Sequence, residues 1–250
     1  MLAVRKKPPF PFVIGHRGSP RAAPENTLAS FRQAARDGAT WVEFDVCLTL
    51  DGRAVIFHDD DLDRTSDGNG PLALMPFDAI RNLDAGGWFG PDFAGEPVPT
   101  LEEALDLFAD LGLGFNMEIK PDPGREIETA EIALTIARES WPAEAPAPLI
   151  SSFSRISMAT AKEVQPGWPR DLLFDRVSED WKDIGAKLDV VSFGANYLHL
   201  SAETVSALQD AGYGVMAYTV NDVARARTLK AWGIDAIFTD IPADMLKAFR

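Results

Sequence analysis

The sequence predicts a closed (β/α)8 barrel, and three observations carry that prediction. Short apolar, β-branched or aromatic runs recur eight times, at residues 12–16, 41–46, 113–119, 149–153, 171–174, 190–193, 214–219 and 236–239. Helical patterns lie between most of them, at 27–36, 125–139, 155–164, 202–211 and 223–232. Such alternation favours a parallel sheet. Eight repeats in 250 residues favour a closed barrel over the alternative, a doubly wound open sheet. A hydrophobic content of 46% supplies a full core. The expected organisation is one domain over residues 1–250.

Each element has its own signal. The first strand ends in His16-Arg17-Gly18, where a barrel strand passes into its active-site loop. Pro24-Glu25-Asn26-Thr27 precedes the first helix, and Asn26 or Thr27 suits its N-cap. In the second strand Glu43 and Asp45 lie two apart and share a face. Val42, Phe44 and Val46 take the other face and suit packing under helices. The chain then departs from the alternation. Asp51-Gly52 between strand-like flanks signals a two-residue hairpin. That turn pairs Leu50 with Arg53 and, further along the ladder, Asp45 with His58. Opposed residues point to one face, roughly 5 Å apart at Cβ. Residues from about 59 to 112, rich in Asp, Gly and Pro, read as an insertion after strand two. Within it, Thr100 and Glu103 fit a capping box opening a helix at 101–110. In the third barrel strand Asn116, Glu118 and Lys120 share a face. The segment 144–148 reads as a stiff loop rather than a domain boundary.

The bulk numbers narrow the partners. A net charge of −14 argues against nucleic acid or an anionic membrane. It also requires local cations or a metal wherever phosphate binds. One cysteine, Cys47, excludes an intramolecular disulfide. The N-terminus lacks the apolar run of a signal peptide. No stretch reaches the roughly 20 apolar residues of a membrane span. The reading is a cytoplasmic protein with no stable membrane association; the oligomeric state is left open.

Five residues carry the chemistry: His16, Glu43, Asp45, His58 and Glu118. Adjacent carboxylates repel unless a cation neutralises them or one keeps a proton. Oxygen ligands suit Mg²⁺ or Ca²⁺, although two solvated acids on a strand give the same pattern. Glu118 is a candidate third ligand. Arg17 offers a bidentate grip on phosphate, and Lys120 a point charge. Histidines beside such a cluster can move protons near neutrality. His199 has no acidic company of this kind and reads as structural. The acids at 59, 60, 61 and 63 read as a solvated loop. Trp88, Phe89 and Tyr218 are candidates for pocket walls. The pattern as a whole points to metal-assisted hydrolysis of a phosphate ester.

Several motifs together are similar to a known family. They are His16-Arg17-Gly18, Pro24-Glu25-Asn26-Thr27, Glu43-Phe44-Asp45, His58-Asp59, Arg64-Thr65, Glu118-Ile119-Lys120, Tyr218-Thr219-Val220-Asn221 and Phe238-Thr239-Asp240. In this order they resemble the glycerophosphodiester phosphodiesterase family over nearly the whole chain. The segments 83–89 and 148–153 look like its bacterial cytoplasmic members. The resemblance implies a TIM barrel with a small insertion after strand two. It implies cleavage of glycerophosphodiesters, a small-molecule substrate, to sn-glycerol 3-phosphate and an alcohol. By position, Glu43, Asp45 and Glu118 match the ligands of one divalent cation, Mg²⁺ or Ca²⁺. His16 and His58 match the general acid/base pair, and Arg17 and Lys120 the phosphate contacts. The family often has Trp where this chain has Tyr218, a change bearing on pocket shape. The rivals are a lysophospholipase D-like phosphodiesterase and a non-catalytic phosphodiester-binding barrel.

Overall fold

A computed structural model describes residues 10–249 of the chain. The expectation about a signal peptide falls mostly on residues 1–9, outside the described ones. Among the described residues, nine strands form one sheet: β1 (Val13–Gly15), β2 (Trp41–Leu48), β3 (Ala54–Ile56), β4 (Gly114–Ile119), β5 (Leu149–Ser152), β6 (Arg170–Phe174), β7 (Ser192–Asn196), β8 (Gly214–Tyr218) and β9 (Ala236–Thr239). Eight of them, all but β3, pair in parallel, and β1 bonds to both β9 and β2. That double pairing closes the barrel, so the open-sheet alternative does not apply. The short β3 runs antiparallel to β2.

The helices are α1 (Leu28–Arg36), α2 (Phe77–Arg81), α3 (Leu101–Leu111), α4 (Glu126–Ser140), α5 (Arg155–Val164), α6 (Trp181–Leu188), α7 (Ala202–Asp210), α8 (Val223–Ala231) and α9 (Pro242–Ala248). The starts of α1, α3, α5, α7 and α8 are fixed by side chains: Thr27, Thr100, Ser154, Ser201 and Asp222 each accept from a backbone N–H of the first turn. Thr100 and Glu103 form the full capping box expected for α3, and Gly112 ends it in the left-handed conformation at φ 65°. Three helices, α2, α6 and α9, carried no sequence expectation. Apolar spacing at Trp181, Ile184 and Leu188 was available for α6.

The outward faces of the strands build the core. Val42, Phe44, Val46, Phe115 and Met117 pack beneath α1, α3 and α4 with Phe31, Phe108 and Leu134. The aromatic rings of Phe31, Phe44, Phe108 and Phe115 meet at centroid separations from 4.9 to 6.2 Å. Phe193, Leu172, Val215 and Leu229 form the equivalent layer on the other side. Phe10, Ile14, Trp41, Met216 and Phe238 make a separate apolar cluster. There a Cβ on Gly114 would stand 2.3 Å from the Trp41 ring, so only glycine fits. Trp41 and Gly114 are Cα partners at the amino ends of β2 and β4.

The β2–β3 register differs from the sequence expectation. Val46 faces Ile56, Cys47 faces Val55 and Leu48 faces Ala54. Asp45 therefore stands opposite Phe57, whose N–H donates to the Asp45 carbonyl at 3.1 Å. The loop has three residues, Leu50, Asp51 and Gly52, rather than two. The Thr49 N–H donates to the Arg53 carbonyl at 3.0 Å, and the Thr49 hydroxyl binds Asp51 at 2.6 Å. Gly52 takes the left-handed position at φ 78°, as a three-residue hairpin requires. The extra residue slips the ladder by one. His58 lies beyond the end of β3 and reaches the barrel mouth through the turn that follows.

Candidate active site

The acidic cluster follows from the parallel ladder. Asp45 on β2 and Glu118 on β4 are Cα partners, and Glu43 partners Asn116. Alternation turns all three acids to the barrel interior. One oxygen from each of Glu43, Asp45 and Glu118 lies within 4.8 Å of the others. Burial pushes the Glu43 carboxyl well above its ordinary range, and the charges of Asp45 and Glu118 add to the effect. Burial and the charge of Asp45 push Glu118 up to about 8. Burial acts upward on Asp45 too, but Arg17, His58 and Lys120 outweigh it and hold that carboxyl low. Close, buried acids that repel one another match a divalent cation, and all-oxygen donors suit Mg²⁺ or Ca²⁺.

The β1 loop carries His16 and Arg17 over this cluster. The His16 Nδ1 lies 2.7 Å from Asp240 Oδ1. Asp240 is in turn fixed by Asn221, whose Nδ2 donates to Oδ2 at 2.6 Å and whose Oδ1 accepts the Asp240 N–H at 2.8 Å. Burial opposes the Asp240 charge, but His16 and Asn221 overcome it and hold the carboxyl low. A carboxylate there obliges Nδ1 to carry hydrogen, so a neutral His16 presents a bare Nε2. That atom lies 3.9 Å from Glu43 Oε2. Arg17 sits at φ 52°, in the left-handed region. The turn directs its N–H to Glu43 Oε2 at 3.0 Å, while its side chain bonds Glu25 at 2.6 Å and its Nε lies 3.4 Å from Asp45. The buried Arg17 Nε has no hydrogen-bond partner, which leaves a donor beside the cluster.

His58 has a parallel arrangement. Its Nδ1 lies 2.5 Å from Asp59 Oδ1. Arg64 then grips Asp59 through Nε at 2.5 Å and Glu25 through Nη1 at 2.7 Å. Burial lowers the His58 pKa, with Asp45 pulling the other way. Asp59 is thus no free member of a solvated acidic run, as the sequence suggested; it anchors a histidine. The expectation for Asn26 also changes. Thr27 alone caps α1. Asn26, at φ 56°, sends its Nδ2 to Asp45 Oδ2 at 2.8 Å.

A cleft of about 610 Å³ opens above these groups, lined among others by His16, Arg17, Glu43, His58, Glu118, Lys120 and Tyr218. Phe153, Leu173, Tyr218 and Phe238 form an apolar wall. The Tyr218 hydroxyl donates to the Phe174 carbonyl at 2.7 Å, and its ring meets Phe153 edge-on at 5.8 Å. Trp88 stands away from this wall beside Arg21 and Arg64. Phe89 packs on Trp88 and Phe93. His199 lies outside the cleft, 3.0 Å from Arg176 and 3.4 Å from Asp175.

Residue by residue, the sequence left Glu25 as a residue that could point into the site and passed over Asn26, Asp59, Arg64, Asn221 and Asp240 as site groups. All six nevertheless fall inside the motifs that carried the family resemblance, which was their available signal. Their partners are distant in sequence, so no local pattern states the contact.

The comparisons with known proteins agree with this geometry. The model of the "Glycerophosphoryl diester phosphodiesterase family" matches residues 16–244. The chain belongs to that family. Among its relatives in the family, a glycerophosphodiester phosphodiesterase of Caldanaerobacter subterraneus subsp. tengcongensis is 33% identical over 95% of this chain and 97% of its own length. An Oleispira antarctica phosphodiesterase, solved in complex with the product sn-glycerol-3-phosphate, is 39% identical. It superposes with a TM-score of 0.93 over 96% of each chain. A glycerophosphodiester phosphodiesterase of Agrobacterium tumefaciens is 27% identical with a TM-score of 0.80, over 95% of this chain and 100% of that one. No helix among the described residues is long and apolar enough to cross a membrane.

Proposed function

We propose that this chain hydrolyses glycerophosphodiesters to sn-glycerol 3-phosphate and a free alcohol. The observation that carries the reading is the cluster of Glu43, Asp45 and Glu118, flanked by two histidines that each lean on their own aspartate. The product named with the Oleispira relative supports the same substrate class.

Glu43, Asp45 and Glu118 would hold one divalent cation, Mg²⁺ or Ca²⁺, which would supply Lewis acidity towards the phosphate. Arg17 and Lys120 contact the phosphate and offset charge that grows on its oxygens. His16, with hydrogen fixed on Nδ1, takes the proton of the attacking oxygen at Nε2. His58 carries its proton to the oxygen of the departing alcohol as the phosphorus–oxygen bond breaks. The lowered His58 pKa makes its protonated form the stronger acid. Tyr218 and Phe153 wall the cleft and exclude water from one side. Asp240 and Asp59 set the tautomers and orientation of the two imidazoles. The folded unit acts as one domain, with residues from about 59 to 112 as a subdomain on the mouth. The single, buried cysteine and the acidic composition support a cytoplasmic setting and no stable membrane association.

The test measures release of glycerol 3-phosphate from glycerophosphocholine with added Mg²⁺ or Ca²⁺, after EDTA, and in His16→Ala and His58→Ala. Turnover should vanish with EDTA and fall at least 10²-fold in each variant, by the usual worth of general acid–base catalysis. Full activity in either variant sinks the proton-transfer assignment. Full activity after EDTA sinks the metal.

A further inference from the structure

The cleft does not end at His16 and Arg17. On their far side a second concavity of about 250 Å³ opens, bounded by Pro20, Arg21, Glu25, Arg64, Trp88 and Asp240. His16 and Arg17 line both spaces. A phosphodiester has two arms that meet at one phosphorus. Two pockets meeting at Arg17, assigned to the phosphate, and at His16 match that shape. Glu43 and Glu118 line only the larger space. A glycerol arm, with its hydroxyls, suits the side that carries these carboxylates. The smaller space then lies in the direction of the other arm, and its volume suits a small alcohol rather than a drug-sized group.

The charges in this side pocket decide which alcohol it favours. Glu25 accepts from both Arg17 and Arg64. Asp240 accepts from His16 and Asn221. Arg64 is taken up by Glu25 and Asp59. Each of these charges is therefore matched inside the protein. Arg21 is different: it is exposed, and its guanidinium has no hydrogen-bond or ion-pair partner among the described residues. Trp88 is 42% exposed. Its indole N–H is spent on the Ala85 carbonyl at 2.8 Å, so the indole offers the pocket apolar ring surface and no donor. One free guanidinium beside an aromatic wall suits a short arm that ends in an anion. It works against a quaternary ammonium, whose attraction to the ring is opposed by the arginine.

We propose that the pocket bounded by Arg21 and Trp88 receives the far end of the departing alcohol, whose ester oxygen stays in the main cleft that His58 lines, and that Arg21 selects arms bearing a carboxylate over cationic arms. This rests on the glycerophosphodiesterase reading above. Arg21 is a specificity residue, remote from the bonds that change.

The experiment compares kcat/KM for glycerophosphoserine and glycerophosphocholine in the wild type, Arg21→Ala and Arg21→Glu. Inhibition by sn-glycerol 3-phosphate, which lacks the alcohol arm, is measured beside it. The wild type should prefer the serine diester. Arg21→Glu should reduce its kcat/KM by about tenfold, in line with a partly exposed charge-assisted contact. The choline diester should hold its rate or gain, and the inhibition constant of the product should stay within twofold. Arg21→Ala should fall between. Equal losses on both diesters, or an unmoved preference, overturn the subsite. So does a shift in product inhibition as large as the shift in turnover. If the wild type cleaves neither diester, the parent reading fails and takes the subsite with it. Active wild type with unchanged selectivity in Arg21→Glu removes the subsite alone.

Discussion

Replacing Asp240 by Asn tests the His16 assignment without touching a metal ligand or a phosphate contact. Asp240 Oδ1 lies 2.7 Å from His16 Nδ1, and Oδ2 accepts from Asn221 Nδ2 at 2.6 Å. In Asp240→Asn the amide has one oxygen and one NH2. Asn221 still presents a donor to one end, so the oxygen turns to Asn221 and the NH2 turns to His16. A donor now faces Nδ1. The imidazole responds by carrying its hydrogen on Nε2, where a base needs a lone pair. Wrong-tautomer losses of this kind reach about 10⁴ in rate, and loss of a group that only orients a functional side chain costs about 10–100-fold. We expect a fall in kcat/KM of roughly 10²–10⁴, or about 3–5 kcal/mol of transition-state stabilisation at 1.36 kcal/mol per tenfold. The assay couples glycerol 3-phosphate release from glycerophosphocholine to its dehydrogenase across pH. Metal affinity should stay near wild type, since Asp240 is outside the carboxylate cluster. Asp240→Glu, which keeps the acceptor, should recover part of the rate. An Asp240→Asn enzyme within threefold of wild type would refute the tautomer argument.

Two further outcomes concern the cluster and the core. Glu118 is pushed up to about 8 in the metal-free protein, above its unfolded value near 4.3. The folded state then binds the extra proton, so its contribution to stability falls as pH rises between those two values. In EDTA, the melting temperature of wild type relative to Glu118→Gln should drop from pH 5 to pH 8. Saturating metal, which takes the place of that proton, should flatten the difference; an equal slope in both proteins would contradict this. Phe108 is wholly buried against Phe31, Phe44 and Phe115. Phe108→Ala should cost about 3–5 kcal/mol in urea unfolding, and a loss below 1 kcal/mol would show that this aromatic cluster is not what holds the first half of the barrel.

The division between sequence and structure is clearest at two strands. In β2 the alternation of Val42, Glu43, Phe44, Asp45 and Val46 states by itself which side chains face helices and which face the barrel axis. The period of a strand is two, and nothing distant alters it. The eight strand runs read the same way, because apolar continuity is a local property. The hairpin after β2 was not legible to the residue. Asp51-Gly52 fits a two-residue turn as well as a three-residue one, and the choice went to the form in which Thr49 bonds Arg53 and Asp51. That single step moved Asp45 from His58 to Phe57. His58 still arrives at the mouth, held there by Asp59, Arg64 and Glu25 across 39 residues of sequence.

The sequence by itself determined the barrel, the inward face of Glu43, Asp45 and Glu118, and the residue types for metal and proton chemistry. Only the tertiary structure decided that Asp45 and Glu118 are ladder neighbours, that Asn26 serves Asp45 rather than a helix end, and that Asp240 and Asn221 hold His16. The physical reason is range. Periodicity and capping act within a few residues, whereas a hydrogen bond between His16 and Asp240 spans 224 positions. Such a contact exists only once barrel closure sets β1 beside β9.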